Sequence, residues 1–304
     1  MTSTSKIREL LTSRVYASHD FLLFITNKLN SSLHQHPALQ LNISLSGETI
    51  GVDNEIDQLQ GTCIVIGSNQ PHRISSHCRW QAVLLLAQQS SLACNLQRYF
   101  LSNGQFGCAV TNAYIEELRL ALISLIQKPE HMTTLDNDIY IILKTLNNIT
   151  AGTPGRPNQH VVKIFNQLDK RHSINIPHTK LAAAVSLSDS HLSHLFREET
   201  GATLRRYKLW QKTLSGANYI LEGKTITEAS LESGFADTAH FSRSFKRQFG
   251  ILPSELKQHS QEVFWIDGDS EALLATKLNS ANAEDTQRDP SSDGFYARRV
   301  QDDE

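Results

Sequence analysis

Two stretches of this 304-residue chain carry the same chemistry: HLSHLFREETG at His191–Gly201 and HFSRSFKRQFG at His240–Gly250. At an offset of 49 residues, His191/His240, Ser193/Ser242, Phe196/Phe245 and Gly201/Gly250 are identical. Leu192, Leu195 and Phe196 share one helical face, as do Phe241, Phe245 and Phe249, and these faces anchor each helix to its own core. The opposite face of the first copy carries Ser190, Ser193, His194 and Arg197. That of the second carries Thr238, Ala239, Ser242, Arg243 and Lys246. Short hydrogen-bonding tips near the helix start suit base edges, and cations further along suit phosphate.

Such faces need a scaffold. Upstream of each copy lies a shorter helical stretch and a tight turn: Leu181–Ala184 then Val185-Ser186-Leu187, and Ile226–Glu232 then Ser233-Gly234-Phe235. Small residues, Ala182 and Ser230, let the paired helices approach, and Gly234 allows a sharp turn. Gly201 and Gly250 stand where a helix C-cap takes a left-handed residue. Helix, turn, helix is a layout that lays its second helix in a major groove.

The rest of the chain divides around this repeat. Of its residues 39% are hydrophobic and 20% charged, with a formal net charge of −2. That composition fits folded domains and excludes a disordered chain, and no apolar run approaches a membrane span. Cys63, Cys78, Cys94 and Cys108 form no C-x-x-C pair, so neither a disulfide framework nor a zinc finger is expected. The polar start, Met1–Glu9, lacks an apolar signal core, and a cytoplasmic, nucleoid-associated protein is expected. Residues 160–262 hold 14 basic and 10 acidic side chains, against 11 of each in 1–159 and 4 and 10 in 263–304. A mildly basic module beside a neutral one suggests a polyanion partner for the middle segment only.

From Val15 to Ala87 the pattern is strand-like. Leu39, Leu41, Ile43 and Leu45 alternate with polar residues, and short runs recur at Phe21–Thr26, Gly61–Ile66 and Trp80–Ala87, which suggests a sandwich or barrel. Tyr114–Gln127 and Thr133–Ile149 place aliphatic residues at helical spacing. Their apolar faces need cover from the strands or from a second subunit. Gly- and Pro-rich 150–159 reads as a linker, and Val161–Glu262 as helical throughout. From 263 onward the chain is expected to be an acidic disordered tail.

Residues 160–258 resemble the DNA-binding domain of the AraC/XylS family of bacterial transcription regulators. The resemblance rests on Gly234-Phe235, Phe241-Ser242-Arg243-Ser244-Phe245-Lys246, Phe249-Gly250 and Pro253-Ser254. It implies seven helices and two helix-turn-helix units joined by a long helix, Leu204–Leu221, on successive major-groove faces. Ser230 and Ser233 replace the usual alanine and aliphatic residue, Ser186 replaces a common glycine, and His194 stands where a cation or long polar residue is frequent.

Residues 1–149 are similar to a degenerate cupin, whose two histidines, acid and third histidine match His34, His36, Gln40 and His72. Three imidazoles and an amide could hold a divalent metal, but an amide is a poorer ligand than a carboxylate. The preferred reading is an effector-binding role for these four residues, with no metal, no cofactor and no catalytic residue. Strict alternation puts Gln40, Asn42 and Ser44 on one face, either a polar pocket or solvent.

The fold expected is thus α+β: a cupin-like β-barrel with two helices over 1–149, a linker at 150–159, an all-α double helix-turn-helix domain at 160–262, and the tail at 263–304. The function expected is a ligand-responsive transcription regulator, not an enzyme. Its partners would be promoter DNA, a small-molecule effector, a second copy of itself and RNA polymerase, with no membrane. A metal-dependent cupin enzyme with an appended helical module is the competing reading. A third is a DNA-binding protein whose barrel serves only for dimerisation.

Overall fold

The computed structural model describes residues 13–275, apart from 28, 102–103, 128–131, 151–157, 169–175, 261 and 267. The N-terminal half opens with β1 (Arg14–Ala17), β2 (Phe21–Thr26), β3 (Leu39–Ser44), β4 (Ile50–Asp53), β5 (Gln58–Gly61), β6 (Cys63–Ile66), β7 (Arg73–Ser76) and β8 (Gln81–Leu86). After these come α1 (Ser91–Phe100), β9 (Gly107–Ala109), α2 (Ala113–Gln127) and α3 (Met132–Ile149). The helical half holds α4 (Gln159–Leu168), α5 (His178–Ala184), α6 (Asp189–Thr200), α7 (Leu204–Leu221), α8 (Ile226–Glu232), α9 (Thr238–Phe249) and α10 (Pro253–His259). One more strand, β10 (Glu262–Trp265), follows.

The strands form a seven-stranded sheet, ordered β10-β1-β2-β8-β3-β6-β9, and a three-stranded sheet, β5-β4-β7. The expected barrel is not closed. The large sheet ends at β10 and β9, which do not pair with each other among the described residues.

Both faces of the large sheet are covered, so β3 and β8 are buried along their whole lengths. On one face Leu39, Leu41, Ile43, Leu23, Ile25 and Leu84 join the apolar sides of α2 and α3, including Leu118, Leu122, Ile142 and Leu146. The strands thus cover the two amphipathic helices. On the other face, Ile64 and Ile66 pack with Ile50, Val52 and Ile74 of the small sheet. Further along that face, Leu22, Val83 and Leu85 meet α4–α7 in one shared core. Val15 enters a second shared core with Ala217, Ile220, Phe241 and Phe245. The polar stripe of β3 belongs to this covered face: Gln40, Asn42 and Ser44 are all buried, which removes solvent as their surroundings.

The start of the expected tail is ordered. β10 pairs in parallel with β1 in the register Val15↔Val263 and Tyr16↔Phe264. Arg14 Nε donates to Glu262 Oε2 at 2.6 Å, and the Tyr16 and Phe264 rings stack 5.0 Å apart. Ser270 is fully buried, and its N–H donates to Asp20 Oδ1 at 2.9 Å. Val263, Phe264 and Trp265 give this segment apolar surface and an open strand edge to pair with. Residues 276–304, and most of the expected linker, lie outside the described residues.

A candidate DNA interface joined to a histidine cluster

Both helix-turn-helix units form as the repeat implies. In the first, α5 ends in a turn where Leu187 N–H donates to Ala182 O at 3.0 Å; in the second, Phe235 N–H donates to Ser230 O at the same distance. The left-handed residue of that turn is Ser186 (φ 57°) in the first unit and Gly234 (φ 80°) in the second. α6 and α9 begin on Ser188 and Asp237, whose side chains accept from His191 N–H and His240 N–H. Both end on left-handed glycines, Gly201 (φ 70°) and Gly250 (φ 72°). Capped at both ends, each helix presents a defined face.

Ser190, Ser193, His194, Arg197, Ala239, Arg243 and Lys246 are exposed on these faces, and Thr238 and Ser242 are half-buried. Leu192, Phe196, Phe241 and Phe245 point the other way and are fully buried. In the first unit part of the polar face is already engaged: Ser193 Oγ lies 3.1 Å from His178 Nε2, and His194 Nδ1 lies 3.5 Å from Glu198 Oε2. Among the described residues no acidic side chain pairs with Arg243 or Lys246.

The strand half holds the rear of both helices. Asn69 Nδ2 and Gln88 Nε2 each donate to the Thr200 carbonyl at 2.7 Å, at the end of α6. Ser32 donates through both its N–H and its Oγ to the Gly250 carbonyl at 2.9 Å, and Gln35 N–H donates to Arg247 O at 3.1 Å, at the end of α9. A Cβ on Gly250 would lie 2.6 Å from His34 Nδ1 and 2.8 Å from Ser32 O, so this position needs glycine for closeness as well as for φ. The repeat showed Gly250 as a cap. Its second role, and the roles of Ser32, Gln35, Asn69 and Gln88, depend on partners 112 to 218 residues away and carry no local sequence signal.

His34, His36, Gln40 and His72 do come together. The His34 and His72 rings lie 4.0 Å apart, and His36 lies 5.2 Å from His72. Gln40 Oε1 is 2.9 Å from His36 Nε2 and 3.3 Å from His72 Nε2, and Gln40 Nε2 donates to Asn42 Oδ1 at 3.0 Å. Burial is the main cause that lowers all three imidazole pKa values, that of His34 to about 3, and neighbouring rings add to it for His34 and His72. His36 also stands 5.5 Å from the Trp210 ring of α7.

His34, His36 and Gln40 line a cavity of about 350 Å³ between the sheet and the helical half; His72 is buried behind them. Phe24, Ile25, Val83 and Leu85 form its strand wall, and Phe249, Ile251 and Leu256 its helical wall. Arg14, Glu255 and His259 add polar groups at its border. The cysteines are all free, and burial raises the thiol pKa of Cys63 to about 12. No described helix is long and apolar enough to cross a membrane.

Comparison with known proteins agrees with this geometry. A family described as "Helix-turn-helix domain" matches residues 181–259. The Msm operon regulatory protein of Streptococcus mutans is 31% identical over 121 residues, 39% of this chain and 42% of the relative. The transcriptional activator RhaS of Klebsiella pneumoniae is 33% identical over 81 residues, 26% of this chain and 29% of the relative. The chain thus spans less than half the length of these curated relatives. Among solved structures, an apo form of a ToxT variant from Vibrio cholerae shares the fold, with a TM-score of 0.56 at 12% identity over 79% of this chain and 97% of that one. ToxT with bound unsaturated fatty acid aligns with a TM-score of 0.53 at 14% identity, over 84% of this chain and 98% of that one. Over residues 181–259 the two units on their shared rod form a helix-turn-helix domain, and the chain is similar in part of its length to these transcription regulators.

Proposed function

We propose that the chain is a sequence-specific transcription activator that reads promoter DNA with α6 and α9 in adjacent major grooves and senses a small molecule through its N-terminal half. The carrying observation is the pair of outward faces: Ser190, Ser193, His194 and Arg197 on one helix, and Thr238, Ala239, Ser242, Arg243 and Lys246 on the other. Hydroxyl tips give base-edge contacts and the cations contact phosphate or guanine.

The effector site is the cavity between the halves. Its volume falls in the range of small-molecule pockets, and its apolar walls with His34, His36 and Gln40 on one side suit an organic molecule with a polar end. His72 supports that wall from behind. ToxT, of the same fold, has been described with an unsaturated fatty acid bound. An effector seated between β2, β8 and α10 changes DNA affinity only as far as it prefers one arrangement of the two halves over another. The exposed Leu120 of α2 and Ile141 of α3 provide apolar surface for a second copy, and activation adds a contact with RNA polymerase. The enzyme reading gains nothing from the matched relatives, which are regulators.

Selection of duplexes from a random pool by the full chain, followed by fluorescence anisotropy at several salt concentrations, tests the DNA reading. Enrichment of two sites about one helical turn apart supports it. No enriched sequence refutes it. A thermal-shift screen of metabolites tests the effector reading.

A further inference from the structure

The repeated serines Ser193 and Ser242 take matching places on α6 and α9, but their neighbours differ. Ser193 Oγ lies 3.1 Å from Nε2 of His178, the first residue of α5. The other ring nitrogen of His178, Nδ1, lies 3.5 Å from Oδ1 of Asp189 in the first turn of α6. In the second unit the place of His178 falls to Ile226 of α8: the turn bonds from Leu187 N–H to Ala182 O and from Phe235 N–H to Ser230 O put the two units in register. Isoleucine offers no hydrogen bond, and among the described residues the Ser242 side chain makes none to protein. The sense of the contact in the first unit follows from the carboxylate. Asp189 only accepts, so it draws the ring proton of a neutral His178 to Nδ1 and leaves Nε2 a bare lone pair. Ser193 then donates its one hydroxyl proton to Nε2, and its oxygen has only lone pairs left to offer. Donating to imidazole also strengthens that oxygen as an acceptor.

We propose that His178 is a positioning residue that fixes the sense of the Ser193 hydroxyl, so that the first recognition helix reads an exocyclic amino group on the base this serine faces. In the major groove the amino groups of adenine and cytosine donate, whereas guanine and thymine present only acceptors. The held hydroxyl therefore takes adenine or cytosine and meets guanine or thymine lone pair against lone pair. Ser242 is free to turn, serves a donor or an acceptor, and is tolerant at its own base. His178 has this role only with α6 in a groove, so it rests on the proposed function. His178 is half-buried, and Ser193 and Asp189 are exposed. Water competes for their contacts in the free chain, and a groove that closes over α6 removes that water and strengthens the bonds.

The test is selection of duplexes from a random pool by the full chain in mildly alkaline buffer, where imidazole is neutral, followed by anisotropy on the enriched duplex and its base variants. The base pair that Ser193 faces is the one whose preference Ser193→Ala removes. Bases at that pair are then replaced by analogues that lack only the amino group, purine for adenine or pyrimidinone for cytosine. The replacement should cost the wild-type chain about three- to tenfold in affinity, the scale of one neutral hydrogen bond, and cost Ser193→Ala almost nothing. His178→Ala should cut the wild-type loss to less than about twofold, with helix content unchanged by circular dichroism. Combined with Ser193→Ala, it should have no further effect. An equal drop in affinity with and without the Ser193 hydroxyl would mark a merely structural histidine and overturn the role. Asp189→Asn, at an exposed position, should loosen the same preference, and it carries the test if His178→Ala fails to fold. A wild-type chain that tolerates the missing amino group but loses affinity when a deaza analogue removes the purine ring acceptor would have Ser193 as a donor, which also overturns the role. A chain that enriches no duplex overturns the proposed function and this role with it. An enriched duplex whose base preferences are the same in His178→Ala overturns the role of His178 alone.

Discussion

In the first helix-turn-helix unit the left-handed turn position is Ser186, α5 starts at Pro177 without a side-chain cap, and α6 sets Asp189, Glu198 and Glu199 against Arg197 alone. In the second the turn position is Gly234, α8 starts in a Thr225/Glu228 capping box, and α9 carries Arg243, Lys246 and Arg247 with no acidic residue. The two units share a plan, yet the second has the better local chemistry, and its recognition helix carries three cations against one on α6. In the proposed function, hold on the phosphate backbone therefore falls to α9, and α6, with Ser193 and His194 engaged by protein groups, would add register more than affinity.

The largest expected effect removes the second unit altogether. Phe241 is fully buried and packs on Phe235 and Phe245. Phe241→Ala should cost about 3–5 kcal/mol in denaturant unfolding and abolish specific DNA binding. Arg243→Ala should cost about 1–3 kcal/mol of binding to a selected duplex with helix content unchanged by circular dichroism. Arg197→Ala should cost less than about 1 kcal/mol in the same assay, and equal losses would end the asymmetry. The turns give a smaller, opposed pair. Gly234→Ala should destabilise by about 1–2 kcal/mol, whereas Ser186→Gly should stabilise by up to about 1 kcal/mol, both read from unfolding midpoints. The smallest effect is on salt: Lys246→Ala should reduce the slope of log affinity against log salt by about 0.9 and lower affinity evenly across sequences.

Much of this comparison is legible in the sequence because it is local. Helical spacing shows which faces of α6 and α9 are buried, the caps stand next to the turns they close, and α7 spans the Leu204–Leu221 range expected of the joining helix. The alternation in β3 also shows that Gln40, Asn42 and Ser44 share a face. It does not show what lies over that face, and the cover turns out to be the small sheet and the helical half. β10 is hidden for a similar reason. Val263, Phe264 and Trp265 are three apolar residues ahead of an acidic stretch, and only the edge of β1, some 248 residues earlier, gives them a strand partner. The open sheet, where a closed barrel was expected, has the same origin: pattern reveals strands and faces, while closure depends on which edges meet.

Salt-dependent binding of the full chain to its selected duplex, measured by anisotropy beside Arg243→Ala and Arg197→Ala, bears most directly on the central claim. Affinity that falls steeply and linearly on the log scale with added salt, and suffers far more from the change in α9 than from that in α6, is the predicted result. Affinity indifferent to salt, or untouched by Arg243→Ala, would contradict it.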